Sequence, residues 1–292
     1  MQTEVEVAQN RKLEGAVPNA VRAELEAKLN AGTLELPLLP GVAMEITSAA
    51  GKEEIDARTI ADLLKRDASL SAHVLRIVNS PVYSPRAQIV SLQQAVARVG
   101  AIKIREIALV IACKTGVFKA KGYEQEIDAV FRHCIGTALF GQEIARNTRN
   151  NVEDAFLCGL LHDVGRPVLL QALVTLLRDA KVQADRDAVL SLVSELHEAA
   201  GSALAKAWGL PDTVVTALGK HHAQKPELEC VPVRIVALAD RFAHLALESG
   251  PGLSCEALAG HPSLGSLEIY PDVLDKIVKR ASVVKETLGA LS

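Results

Sequence analysis

The chain has 292 residues, of which 49% are apolar and only 3% aromatic, and it carries a formal net charge of −3. That length fits one large domain or two ordinary ones with a substantial core, while the missing basic surplus and the scarcity of aromatic stacking platforms argue against a nucleic-acid partner. The apolar residues are mainly Ala, Leu, Val and Ile, not the aromatic strand formers, which predicts an all-α fold. Five cysteines (Cys113, Cys134, Cys158, Cys230, Cys255) are odd in number, widely spaced and without a CxxC, which fits reduced, buried thiols in a cytosol. The N-terminus lacks a hydrophobic signal region, and no uninterrupted apolar run reaches the about 18–20 residues that span a bilayer. A soluble, cytoplasmic protein with no membrane partner is therefore expected.

Residues 1–17 are polar and read as a tail or linker. Val21, Leu25 and Leu29 then recur on a short helix ending near Asn30-Ala31-Gly32. Leu36-Pro37-Leu38-Leu39-Pro40-Gly41 breaks the helix, a short helix is predicted from Val42 to Ala50, and another starts after Asp56, an N-cap, with Ile60, Leu63 and Leu64 inward. Asp67 caps a third helix bearing Leu70, Val74, Leu75 and Val78, which Asn79-Ser80-Pro81 stops. Ser91 and Gln94 form a capping-box pattern, and Gly100 suits a left-handed helix stop. Ile102 to Cys113 is rich in β-branched residues, yet nothing nearby offers a sheet to pair with, so a buried helix is predicted. The polar stretch Thr115 to Gln125, with its two glycines, is the candidate domain boundary, giving lobes over 18–120 and 121–292. Helices are predicted at roughly 126–147, 152–163, 167–179, 187–207, 212–222 and 231–248, with Pro167 at a helix start. A Gly/Pro/Ser-rich excursion from Ser249 to Gly265 precedes one last helix with Val273, Ile277, Ala281, Val284 and Leu288 as its apolar stripe.

At Leu160-Leu161-His162-Asp163-Val164-Gly165 a histidine and an aspartate are carried side by side into an apolar segment, where ionisable groups need partners. Eight histidines are present, and His133, His162, His197, His221 and His222 lie in predicted helices with apolar neighbours. Asp163 and Asp240 join them, the latter ending the apolar run Ile235 to Ala239. Several helices that each bring one or two such residues inward build metal sites in bundles, and mixed imidazole and carboxylate donors suit Zn, Fe, Mn or Ni. With seven candidates, one or two divalent ions are expected. Adjacent helical residues point about 100° apart, so His162-Asp163 and His221-His222 can each serve one ion only near a helix end, or two ions otherwise. The same spacing also fits histidines that bond to carbonyls and fill space. His73, His244 and His261 read as core or surface residues.

The ordered segments LPLLPGVAMEI (36–46), RDASLSAHVLRIVNSPVY (66–83), IVSLQQAVARVG (89–100), GLLHDVG (159–165), HEAAGSALAKAWGLP (197–211) and HH (221–222) resemble the HDOD domain, a bacterial relative of the HD-domain phosphohydrolases. The resemblance runs from about residue 30 to 245. It implies two packed helical lobes, the second HD-like, and a role in signal transduction as an output module, with a signalling protein or small ligand as partner and a receiver domain N-terminal to this chain. Carried over residue by residue, the HD ligand set falls on His133, His162, Asp163 and Asp240, and the extra histidines of HD-GYP phosphodiesterases fall on His197, His221 and His222. Two departures stand out. The lysine after HDxG in those enzymes is Arg166 here, and Ala223-Gln224-Lys225-Pro226 follows His221-His222 without the acidic residue or the Gly-Tyr-Pro loop.

Two functions follow. The first is a non-catalytic regulatory module that retains a bound metal. The alternative is a metal-dependent phosphohydrolase, with Asp163 among the groups holding the ions and Arg166 stabilising phosphate charge. The missing loop and the HDOD-specific first half favour the first, since a ligand cage can outlive its reaction.

Overall fold

A computed structural model describes residues 16–38, 41, 42, 45, 57–81, 83, 88–114, 118–247 and 253–291, and no strand occurs among them. Helix α1 (Asn19–Asn30) buries Val21 and Leu25 and ends at Gly32, whose φ of +66° suits a residue without Cβ. It lies against helices of the second half of the chain. There Arg22 pairs with Glu195, and the Trp208 indole donates to the Pro37 carbonyl at 2.8 Å. The helix predicted over Val42 to Ala50, beyond Val42 and Glu45, lies outside the described residues, as do the Asp56 cap and most of the polar tail.

Helices α2 (Ala57–Lys65), α3 (Ala68–Val78), α4 (Leu92–Val99) and α5 (Ala101–Lys114) pack on one another through Ile60, Leu64, Leu70, Val74, Ala95 and Ile104. Asp67 caps α3 by accepting the Leu70 N–H at 3.0 Å. Asn79 then holds the return segment with both ends of its amide, donating to the Ile89 carbonyl and accepting from the Ile89 N–H, each at 2.8 Å. Ser91 caps α4 through the Gln94 N–H at 3.2 Å, but the Gln94 side chain reaches past the cap to the Val90 N–H at 3.1 Å, so the reciprocal half of the box sits one residue early. Gly100 takes φ +92° and ψ 148°, a glycine region outside the left-handed helical well. Helix α5 is buried as expected. It also carries Glu106, 4% exposed, whose carboxylate is held by Lys103 and by the Gln142 amide at 2.8 Å. The sequence pattern gave no sign of this link.

The second half is built from α6 (Glu124–Asn147), α7 (Val152–Leu161), α8 (Gly165–Asp179), α9 (Arg186–Ala207), α10 (Asp212–Lys220) and α11 (Val231–Leu247). Helix α6 packs along α7 and α11, α8 along α9, and α10 fits between α9, α7 and α11. Two glycines set the closest backbone-to-backbone approaches. A Cβ on Gly159 would lie 2.7 Å from the Ala138 Cα, and one on Gly165 would lie 1.9 Å from the His197 carbonyl oxygen. The stretch Val152–Asp179 is long and apolar enough by composition to cross a bilayer, and 67% of its apolar window is buried within the fold. It is α7 and α8 with a turn between them.

The last apolar stripe is two helices, not one. After the short α12 (Cys255–Leu258) and α13 (Ser263–Ser266), α14 (Pro271–Lys279) and α15 (Ala281–Leu291) break at Arg280, and both rest on α6 through Ile277, Val284 and Leu288. No Gly or Pro marks the break, so the periodicity ran through it. Cys113, Cys134 and Cys158 are buried free thiols, whereas Cys230 is exposed and Cys255 half-buried, against the expectation of burial for all.

Because α8 and α9 meet backbone to backbone at Gly165, Gly165→Ala is expected to cost about 3 kcal/mol and lower the melting midpoint by about 5–10 °C. Gly289→Ala, on α15 with nothing within 4 Å of its added Cβ, should instead stabilise by up to about 1 kcal/mol. Equal melting curves for both variants would contradict this packing.

Candidate metal centre

Five segments converge on one place. Helix α6 supplies His133, the α7–α8 turn supplies His162 and Asp163, α9 supplies His197, the end of α10 supplies His221 and His222, and α11 supplies Asp240. Asp163, His197, His221 and His222 form one group and His133, His162 and Asp240 another, with the ligand atoms inside each group within 4.8 Å of one another. All seven residues singled out from the sequence are therefore brought together.

Local geometry explains how adjacent residues reach one site. Helix α7 stops at Leu161 and the chain turns through His162, Asp163 and Val164 before α8 begins. Helix α10 likewise stops at Lys220, leaving His221 and His222 in a turn. At each end the rings are fixed through the backbone. His162 Nδ1 meets the Gly159 carbonyl at 2.8 Å, His197 Nδ1 the Ser194 carbonyl at 2.7 Å, and His221 Nδ1 the Leu218 carbonyl at 3.0 Å. A carbonyl only accepts, so each Nδ1 carries the proton and each neutral ring presents a bare lone pair at Nε2.

Those lone pairs face one another. His197 Nε2 lies 3.2 Å from His221 Nε2 and 3.2 Å from Asp163 Oδ1, and His221 Nε2 lies 3.6 Å from the same oxygen. Asp163 Oδ1 is buried without a hydrogen-bond partner. Three buried acceptors that face each other require a positive charge among them. Burial pushes the His197 imidazole down to about 3 and the His162 imidazole down to about 4, so these two rings are neutral near pH 7. Burial would push the Asp163 carboxyl up, but its polar neighbours outweigh that and hold it well below the usual range, and among them the Arg166 guanidinium is charged at every pH near neutrality. Neutral imidazoles beside an ionised carboxylate are the donor set a divalent ion takes.

The second group is closed differently. His133 Nε2 donates to Asp240 Oδ1 at 2.7 Å, and His162 Nε2 sits 3.9 Å from that oxygen and 3.7 Å from Asp163 Oδ2. For Asp240, burial raises the carboxyl, and the His133 hydrogen bond outweighs it and lowers it. Arg166, the other candidate from the sequence, places Nε 2.7 Å from Asp163 Oδ2. Asp163 thus turns Oδ1 to His197 and His221, and Oδ2 to the Arg166 guanidinium and to His162.

A cavity of about 490 Å³ opens onto the site, with His133, Asp163, Arg166, His222 and Asp240 on its wall. Arg241 and His244 also line it, and neither was singled out from the sequence. The i, i+4 spacing from Asp240 to His244 on α11 would have found the second. His73 and His261 are both half-buried and lie apart from the two groups.

Comparisons place this geometry among known folds. An HDOD domain protein with unknown function from Geobacter sulfurreducens superposes with a TM-score of 0.69 at 26% identity, covering 94% of this chain and 98% of that one. A candidate metal-dependent phosphohydrolase from Shewanella amazonensis superposes with a TM-score of 0.68, covering 94% and 99%, and at 20% identity the likeness is one of fold. An uncharacterized protein of Treponema pallidum is 26% identical over 198 residues, a match spanning 64% of this chain but only 38% of that relative. The family model of the HDOD domain matches residues 36–224, a stretch holding six of the seven candidate ligands, and the chain accordingly belongs to the HDOD domain family.

Proposed function

We propose that this chain is a signal-transduction output module whose buried His/Asp centre holds a divalent ion as part of its regulated fold, without turnover of a phosphoester. The observation that carries the metal reading is the convergence of Asp163 Oδ1, His197 Nε2 and His221 Nε2 within 3.6 Å. With His222 they would hold the first ion, and His133, His162 and Asp240 would hold a second. Zn, Fe, Mn and Ni all suit these donors. When bound, such an ion supplies Lewis acidity and acidifies a water.

The chain's own residues argue for a regulatory use of this centre. Arg166 Nε lies 2.7 Å from Asp163 Oδ2, an oxygen that His162 Nε2 also faces at 3.7 Å, and His133 and Asp240 are bonded to each other. Two-ion phosphoryl chemistry asks for ions about 3.5–4 Å apart, an arrangement that a carboxylate shared through both oxygens favours and a guanidinium on one oxygen opposes. The segment after His221-His222 also lacks the Gly-Tyr-Pro loop of the HD-GYP enzymes that the sequence resembles. Family membership supports the signalling role, with a receiver domain, another signalling protein or a small ligand as partner.

One observation favours a second reading, a metal-dependent phosphohydrolase. The cavity puts Arg166 and Arg241 beside the ligand groups, where their guanidinium groups would meet a phosphoryl oxygen.

Under the first reading, Zn²⁺ at a hundred times its dissociation constant should stabilise chelator-stripped protein by about 2.7 kcal/mol in thermal melts, and His197→Ala should abolish the shift. The two readings part in an assay of metal-loaded protein on bis(p-nitrophenyl) phosphate and p-nitrophenyl phosphate. No release of nitrophenol above a protein-free blank is expected, and turnover that disappears in Asp163→Ala would establish the hydrolase instead.

A further inference from the structure

His221 and His222 are consecutive, yet both belong to the group around Asp163, with ring centroids 4.3 Å apart. Had α10 continued through them, the two side chains would point about 100° apart, and one would leave the site. The helix must end where it does.

Ending it creates a problem that the neighbouring helix solves. The Leu218 carbonyl, which a longer helix would offer to the His222 N–H, receives the His221 ring at 3.0 Å. The His222 N–H goes instead to Glu198 Oε1, also at 3.0 Å. Glu198 follows His197 on α9, so the same turn of helix sends one side chain to Asp163 and the next to the end of α10. Its carboxylate also lies 3.7 Å from His221 Nδ1, beyond hydrogen-bond reach, which leaves the backbone N–H as its direct partner.

We propose that Glu198 is a positioning residue for the metal centre: by accepting the His222 N–H it fixes the turn that lets two adjacent histidines serve one ion. This inference rests on the metal reading of the His/Asp centre.

The test is a Zn²⁺ titration of chelator-stripped protein in competition with a chromogenic chelator, comparing wild type with Glu198→Ala, Glu198→Asp and Glu198→Gln. Alanine removes the acceptor, and aspartate, one methylene shorter, fails to reach. Both should weaken the tightest Zn²⁺ site by about 10- to 100-fold, the range seen when groups supporting metal ligands are lost. Glutamine keeps an acceptor oxygen at the same reach and should stay within a few-fold of wild type. Melts of the stripped proteins should remain close to one another, which separates loss of ligand placement from loss of fold. Should the alanine variant not fold, the aspartate and glutamine pair decides alone. Wild-type affinity in the aspartate variant, or glutamine as weak as alanine, would overturn the assignment of Glu198. A wild type that takes up no Zn²⁺ would overturn the metal reading itself, and with it this inference.

Discussion

Three buried acceptors without a donor between them are the constraint on which this structure turns. Asp163 Oδ1, His197 Nε2 and His221 Nε2 approach to 3.2–3.6 Å, and each ring has its proton already committed at Nδ1 to a backbone carbonyl. In a dry interior that arrangement is costly unless a cation compensates it, because an unpaired buried polar group loses its hydration and gains nothing in return. The carbonyl bonds that create the problem are also what pre-organise the site. They fix tautomer and ring direction before any ion arrives, so little ordering remains to be done on binding.

The fold serves that constraint through its helix ends and its close contacts. Paired ligands need helix termini, and α7 and α10 both stop at their histidines. Gly165 then allows α8 to touch the His197 carbonyl, which brings the His162-Asp163 turn against α9. Gly159 performs the same service between α7 and α6, the helix that carries His133. Arg166, in the first turn of α8, closes the arrangement by pairing with Asp163 Oδ2. Under the proposed regulatory reading each bound ion would tie together three segments, with the His162-Asp163 turn shared between the two groups, and its occupancy would alter how they pack.

Much of this was legible in the residues, for identifiable physical reasons. Long amphipathic segments such as α6, α9 and α11 show their period plainly, and the Asp67 and Ser91 caps carry their own hydrogen-bond logic. Seven candidate ligands could be listed because histidines and aspartates in apolar helices need partners, and family resemblance ordered them. What stayed hidden depends on packing between distant segments. The break at Arg280 has no local marker, and buried Glu106 reads as an ordinary polar position until Gln142 from α6 meets it. The mispredicted half of the Ser91 box is a one-residue shift that only the turn geometry at Val90 decides. The pairing of Arg166 with Asp163 follows from their i,i+3 spacing, whereas the reach of Glu198 to α10 has no sequence signature, since it depends on where two helices meet in space.

The most direct measurement of the central claim is plasma mass spectrometry of the protein purified without added metal, beside His221→Ala. The account predicts near-stoichiometric Fe, Mn, Ni or Zn in the wild type and its loss from the variant. A wild type that is fully folded and free of metal would contradict it, and would mean that the histidines share protons and carbonyls to support the fold alone.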